Sequence, residues 1–206
     1  MKQLKPILFL IIAFVLSGCT LLLPFYGVKS PRFESIDKQK AILSEYGCDT
    51  SNLYFIDTSY YDSLDYSEKY AINTYKLKKG TGASAIQLRM YDSQGAFTSG
   101  WSQCFGKADK HGIFDSVPFY NGKNLPVNQQ LSLQNDLKMF QTSEEERKQF
   151  LSEANEHDYT IVLIWVGYAG VFTKRTLRNL SRYQKENPEY DFYVLKMNLT
   201  TRYKFE

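Results

Sequence analysis

An unbroken apolar run from Ile7 to Leu16 follows two lysines, Lys2 and Lys5, and ends at Ser17-Gly18-Cys19. A basic start, a short apolar stretch and small residues before a junction form the layout of an export signal. Residues 20 to 33, with Pro24, Gly27 and Pro31, have no sustained period and read as a tether. From Glu34 to Tyr46 the apolar positions Ile36, Ala41, Ile42 and Leu43 fall at three- and four-residue spacing, and Gly47 follows. That pattern predicts a helix with a glycine stop. Asn52 to Asp57 is a short apolar and aromatic run between turn formers, which predicts a buried strand.

Further along, residues 58 to 70 are rich in Tyr, Ser and Asp and read as a loop or short helix. Ala71 to Leu77 reads as a strand closed by the turn Lys78-Lys79-Gly80-Thr81-Gly82. Ser84 to Tyr91 alternates Ile86, Leu88 and Met90 against Gln87, Arg89 and Tyr91. Asp92-Ser93-Gln94-Gly95 then turns the chain into Ala96 to Trp101, predicting a β-hairpin with glycine in the left-handed region. Gly, Pro and Asn recur from 105 to 135, which predicts long loops with little regular structure. The pattern sharpens from Thr142. Ser143 is placed to cap a helix running to about Glu156, with Glu144, Glu145 and Glu146 in its first turn and Phe150, Leu151 and Ala154 on one side. Thr160 to Val166 is continuously apolar, as a strand covered on both faces requires. Residues 172 to 185 form a basic helix with Leu177 and Leu180 inward and Lys174, Arg175, Arg178 and Arg182 outward. Tyr190 to Leu199 is a second buried strand. Helix, strand, helix, strand with short links implies a right-handed crossover joining a parallel pair.

The junction Leu16-Ser17-Gly18-Cys19 resembles the lipobox of bacterial lipoproteins. The resemblance implies that residues 1 to 18 are removed and that Cys19 becomes an acylated, palmitate-bearing N-terminus in the cell envelope. The competing reading is an uncleaved membrane anchor, since Thr20 to Leu23 extend the apolar stretch towards the roughly 20 residues that span a bilayer. Ser17 to Thr20 interrupt the run, and its continuous part is about half that length. Several acyl chains on one residue hold far more firmly than a single chain. Thr20, with no aspartate after the cysteine, resembles outer-membrane sorting in enteric bacteria, which implies the periplasmic side of the outer membrane where the host has two membranes.

Residues 19 to 206 suffice for one domain with a proper core, here taken as 34 to 206. Loss of Lys2 and Lys5 brings the formal charge of +3 close to neutrality, and no basic face of the kind nucleic acid requires is evident. With three cysteines in all, the chain is no disulfide scaffold, so its fold must rest on burial helped by its 16 Tyr and 14 Phe.

The segment Val162-Leu163-Ile164-Trp165-Val166-Gly167-Tyr168-Ala169-Gly170-Val171-Phe172-Thr173, with the helix after it and the strand through Val194 to Leu199, resembles the centre of the thioredoxin fold. In that family a buried strand ends in a turn written W-C-G-P-C-K. The resemblance spans 143 to 200 and is one of pattern more than identity. It implies an α/β domain with a thioredoxin-like mixed sheet and flanking helices. Ala169 stands at the first cysteine position, Gly170 at the glycine, Val171 at the proline, Phe172 at the second cysteine, and Thr200 where an acidic residue belongs. Thiol exchange needs a thiolate, which neither alanine nor phenylalanine supplies, so this turn has no redox role. The chain ends before the family's final hairpin, and the hairpin at 84 to 101 is placed to fill that position in a rearranged topology.

Cys48 and Cys104 are a candidate disulfide, with two inert thiols or a displaced redox pair as the other readings. No His or Lys adjoins Cys104 in sequence to lower its pKa, and Cys48 follows a helix C-terminus, which disfavours a thiolate. His111 and His157 are the only imidazoles, and no spacing resembles a metal site. His157 reads as a cation at a helix end. The acidic, tyrosine-rich segment 57 to 68 lacks the spacing of a calcium loop, and Gly80 to Ser84 lacks the Gly-Lys-Ser/Thr of a phosphate loop. No cofactor is implied. The expectation is an envelope lipoprotein, bound to the membrane through its lipid, whose non-catalytic thioredoxin-like module binds a protein or small ligand. The alternative is a thiol-dependent oxidoreductase or peroxidase using Cys104 and Cys48.

Overall fold

The sheet is organised around the most apolar segment of the chain. In the computed structural model, which describes residues 27, 29, 33–56, 86–102 and 132–198, Tyr159–Trp165 forms a strand whose last six residues are all buried. The other strands are Leu53–Phe55 (β1), Gln87–Asp92 (β2), Phe97–Ser102 (β3) and Phe192–Asn198 (β5), with Tyr159–Trp165 as β4. The helices are Ile36–Glu45 (α1), Leu133–Leu137 (α2), Glu144–Ala154 (α3) and Val171–Glu186 (α4). The five strands lie in the order β1-β5-β4-β2-β3. β1, β5 and β4 are mutually parallel, whereas β2 is antiparallel to both β4 and β3. The domain is therefore α/β with a mixed sheet. The hairpin reaches β4 from earlier in the chain, in the position it was placed to fill.

Each face of β4 feeds a separate core. Ile161, Leu163 and Trp165 join Leu88 and Met90 of β2, Leu177, Leu180 and Tyr183 of α4, and Leu43 of α1. Val162 and Ile164 join Leu195 and Met197 of β5, Leu133 and Leu137 of α2, and Phe150 and Ala154 of α3. Helices thus cover both faces, which is why β4 carries no polar alternation.

Several expectations need correction. Although Gln87, Arg89 and Tyr91 alternate with apolar residues along β2, they are buried too. Arg89 donates to Asp136 of α2 at 2.7 Å, and the Tyr91 hydroxyl donates to the other carboxylate oxygen of Asp136. A polar face has been roofed by a carboxylate. That carboxylate sits on α2, a five-residue helix capped by Ser132, which lies at the end of a stretch expected to be irregular. Along α1 the buried side chains are Gln39 and Leu43, while Ile36 is 43% exposed. β1 is only half-buried because it lies at the sheet edge, paired on one side. The helix at 143 meets its expectation. Ser143 and Glu146 form a reciprocal capping box, and Phe150 and Ala154 point into the core. His157 contacts Asp191, with Nδ1 2.8 Å from its carboxylate, and stacks on Tyr193. The segments expected to hold a strand at 71–77 and turns at 78–82 lie outside the described residues, as do Cys19, Cys104, His111, the acidic stretch at 57–68 and Thr200.

Candidate functional site

β4 ends at Trp165, and Val166 continues extended into a single 3₁₀ turn, Gly167–Ala169. Gly170, at φ 60° and ψ −127°, then starts α4 as its N-cap, a conformation suited to glycine. The Thr173 hydroxyl donates back to the Val166 carbonyl, tying the helix head to the strand end. Ala169 and Phe172 are buried in the same cluster as Trp165. The turn is thus a packed element, and both side chains are part of its core.

What approaches the turn comes from the other end of the chain. Glu34, only 1% exposed, precedes the N-cap Ser35 of α1, and its Oε2 accepts from the Gly167 N–H at 2.8 Å. A methyl group at Gly167 would overlap the Glu34 carboxylate, which would have to shift to admit it. Gln39 holds Glu34 from behind, its amide donating to the Glu34 carbonyl at 2.7 Å. The Lys38 ammonium stands 3.6 Å from Glu34 Oε1. Lys29, within the segment read as tether, donates its backbone N–H to the Tyr168 carbonyl at 2.9 Å. Lys29 is therefore bound to the turn.

Between these pieces lies a cleft of about 560 Å³, bordered by Gly27, Lys29, Glu34, Lys38, Gly170 and Lys174, with Ile42, Tyr46 and Val171 supplying apolar wall. That is the size of a small-molecule site. Lys174 Nζ and the Arg178 guanidinium each lie 5.5 Å from the Tyr46 ring centroid, so the rim at α4 is held by cation–π contact. Three lysines face one carboxylate here. The positive end of the α4 dipole adds to them, with no side chain capping it.

Cys48 is elsewhere. Its thiol is buried, 8% exposed, free, and donates to the Leu177 carbonyl at 3.3 Å. Leu177 is seven residues past Gly170, about 10 Å along the helix. Burial pushes the thiol up to about 11, only partly opposed by Lys196. Lys196 is itself buried in β5, where it donates to the Ser51 carbonyl at 2.8 Å and meets Asp49 at 3.3 Å. Of the predicted site residues, the structure brings together Trp165, Ala169, Gly170 and Phe172. Glu34 and Lys29 were not expected at the site, because a partner 133 residues away leaves no local spacing to read. The one local signal is the glycine at 167, directly after a tryptophan-ended strand.

Among the described residues, no helix is long and apolar enough to cross a membrane, and no cluster of His, Cys, Asp and Glu is arranged to hold a metal ion. No known protein family, curated protein or solved structure matches this chain.

Proposed function

We propose that this protein is an envelope lipoprotein, lipidated on Cys19, whose thioredoxin-like domain is a non-catalytic binding module with its ligand site in the cleft at the head of α4. The observation that carries the binding reading is the turn itself. Its cysteine positions are filled by buried Ala169 and Phe172, while the cleft beside it keeps a carboxylate and three lysines around a small-molecule volume. Anchoring rests on Leu16-Ser17-Gly18-Cys19 and on the short tether, and the periplasmic face of the outer membrane is the proposed location in a two-membrane host. The thiol alternative is disfavoured by the buried, hydrogen-bonded, high-pKa Cys48, since the thiolate is the nucleophile.

Crosslinking and capture from native envelope tests this reading, using the full chain against Lys174→Glu, which reverses charge at the rim. Capture of a partner or small molecule by the wild type, lost in the variant, supports it. Insulin reduction or peroxide consumption by the full chain, abolished by Cys104→Ser, would overturn it.

A further inference from the structure

We infer that the outer face of α4 docks on anionic phospholipid headgroups, turning the anchored domain so that α4 lies against the bilayer that holds its lipid. This rests on the reading of Cys19 as a lipidated anchor, and adds to it a partner and an orientation.

Four cations form a stripe along α4. Arg175, Arg178, Arg182 and Lys185 are all exposed, and their spacing of three, four and three residues keeps them on one side of the helix. At 1.5 Å per residue the stripe is about 15 Å long. Leu177, Leu180 and Tyr183 take the opposite side, in the core. In all, α4 carries five basic residues and one acidic, Glu186, which ends the helix 3.7 Å from Arg182. On the other face of the sheet, α3 carries four acidic residues and two basic. α1 shares the face of α4 and is balanced, with Asp37 and Glu45 against Lys38 and Lys40. A chain close to neutral in sum is therefore positive across α4 and negative across α3.

The anchor reaches the domain at the head of the same helix. Lys29 donates its backbone N–H to the Tyr168 carbonyl, in the turn that leads into α4, and Gly27 lies beside the N-cap Gly170. Between Cys19 and Gly27 the sequence is Thr20-Leu21-Leu22-Leu23-Pro24-Phe25-Tyr26, without a charged residue. An apolar run next to acyl chains partitions into the headgroup boundary, where tyrosine is favoured. The chain then leaves the lipid at Tyr26, and the three residues on to Lys29 reach at most about 11 Å. That is close to the Debye length of about 8–10 Å, so the head of α4 comes within the range of surface charge.

A nearly neutral molecule has little net attraction to a charged surface, so the lipid supplies residence. Once the domain is held there, α3 and α4 meet the surface field with opposite signs, and the arrangement with α4 inward is favoured. Each Lys or Arg brought close to an anionic leaflet favours contact by about fivefold.

Lysine footprinting of the mature protein, isolated with its lipid, tests this in nanodiscs of phosphatidylcholine alone and of phosphatidylcholine with phosphatidylglycerol. Acetylation by an amine-reactive ester is followed by mass spectrometry at Lys185 of α4 and at Lys148 of α3, both exposed. On the anionic nanodiscs Lys185 is expected to react at least about threefold more slowly, while Lys148 keeps its rate. Salt at about 1 M, where the Debye length is about 3 Å, should restore the Lys185 rate. Arg178→Glu with Arg182→Glu should abolish the shielding. Should that variant fail to fold, as judged by circular dichroism, the lipid and salt comparisons on the wild type still decide.

Equal Lys185 rates on the two lipids overturn the inference, as does equal slowing of Lys148, which would mean that no face is preferred. Shielding of Lys185 in native envelope but not on anionic nanodiscs overturns it too, and assigns the face to an acidic protein. These outcomes leave the anchor intact. A mature protein that does not stay with phosphatidylcholine nanodiscs has no lipid to hold it, and the anchor reading then falls together with the orientation built on it.

Discussion

Gly167 meets Glu34 from 133 residues away, and the Glu34 carboxylate occupies the space a side chain would take. Gly167→Ala must displace a buried charged group that is also held through Gln39. We expect a loss of about 1–3 kcal/mol, the usual cost of overpacking, read as a lowered urea midpoint with unchanged slope. An unchanged midpoint would mean that Glu34 is free to move. Cys48 supports a prediction with pH. Its folded pKa, about 11, lies above the ordinary thiol value of 9.0, so the folded state holds this proton more tightly than the unfolded chain does. The stability from the neutral thiol is fully present below pH 9.0 and is lost as pH rises through about 11. Between pH 8.5 and 10.5 the wild type should therefore lose more stability than Cys48→Ala, and equal losses would place the thiol in water. Neither residue's role was legible in the sequence. A glycine after Trp165 and a cysteine after a helix are visible, but a contact spanning 133 residues has no local period to betray it.

At the scale of elements, periodicity reported what is covered and misreported what covers it. β4, α3 and α4 lie close to where their patterns place them, since an apolar run, a capping box and a two-leucine stripe each have one structural solution. β2 deceived, because Gln87, Arg89 and Tyr91 alternate with apolar residues as an exposed face would. Arg89 is instead 1% exposed against Asp136, which is fully buried. An Arg roofed by an Asp from a distant helix has the same alternation in sequence as an Arg in water. The pair makes a sharp prediction. Asp136→Ala leaves a buried guanidinium without its carboxylate and should cost about 3–5 kcal/mol in equilibrium unfolding. Replacing both, Arg89→Met with Asp136→Leu, should recover much of that loss, because an apolar pair of similar volume is often as stable as a buried ion pair. If the double variant were as unstable as the single, the network would contribute more than charge compensation. The hairpin was legible from the alternation of 84 to 91 and the turn at 92 to 95, and it pairs beside β4.

For the whole molecule, the position of the cleft and the position of the anchor depend on each other. Lys29 is hydrogen-bonded to the same turn that forms the cleft floor, so the chain between Cys19 and the domain is short and its far end is fixed. A lipid on Cys19 would hold the basic rim of Lys29, Lys38 and Lys174 within about 29 Å of the headgroups along the chain, although surface attraction itself fades within a Debye length of about 8–10 Å. The same geometry without a lipid would leave a nearly neutral domain with no cause to stay at a membrane. Mass spectrometry of the protein from its native host should find Cys19 as the first residue, bearing acyl chains, with residues 1 to 18 absent. Cys19→Ser should then remain unprocessed, its apolar run intact from Ile7 to Leu16. A native chain that retains Met1 and a bare Cys19 sulfur would remove the anchor and with it the proposed place at the membrane. The cleft itself would stand, because Glu34, Gly167 and the head of α4 are set by the domain's packing and not by where the domain is tied.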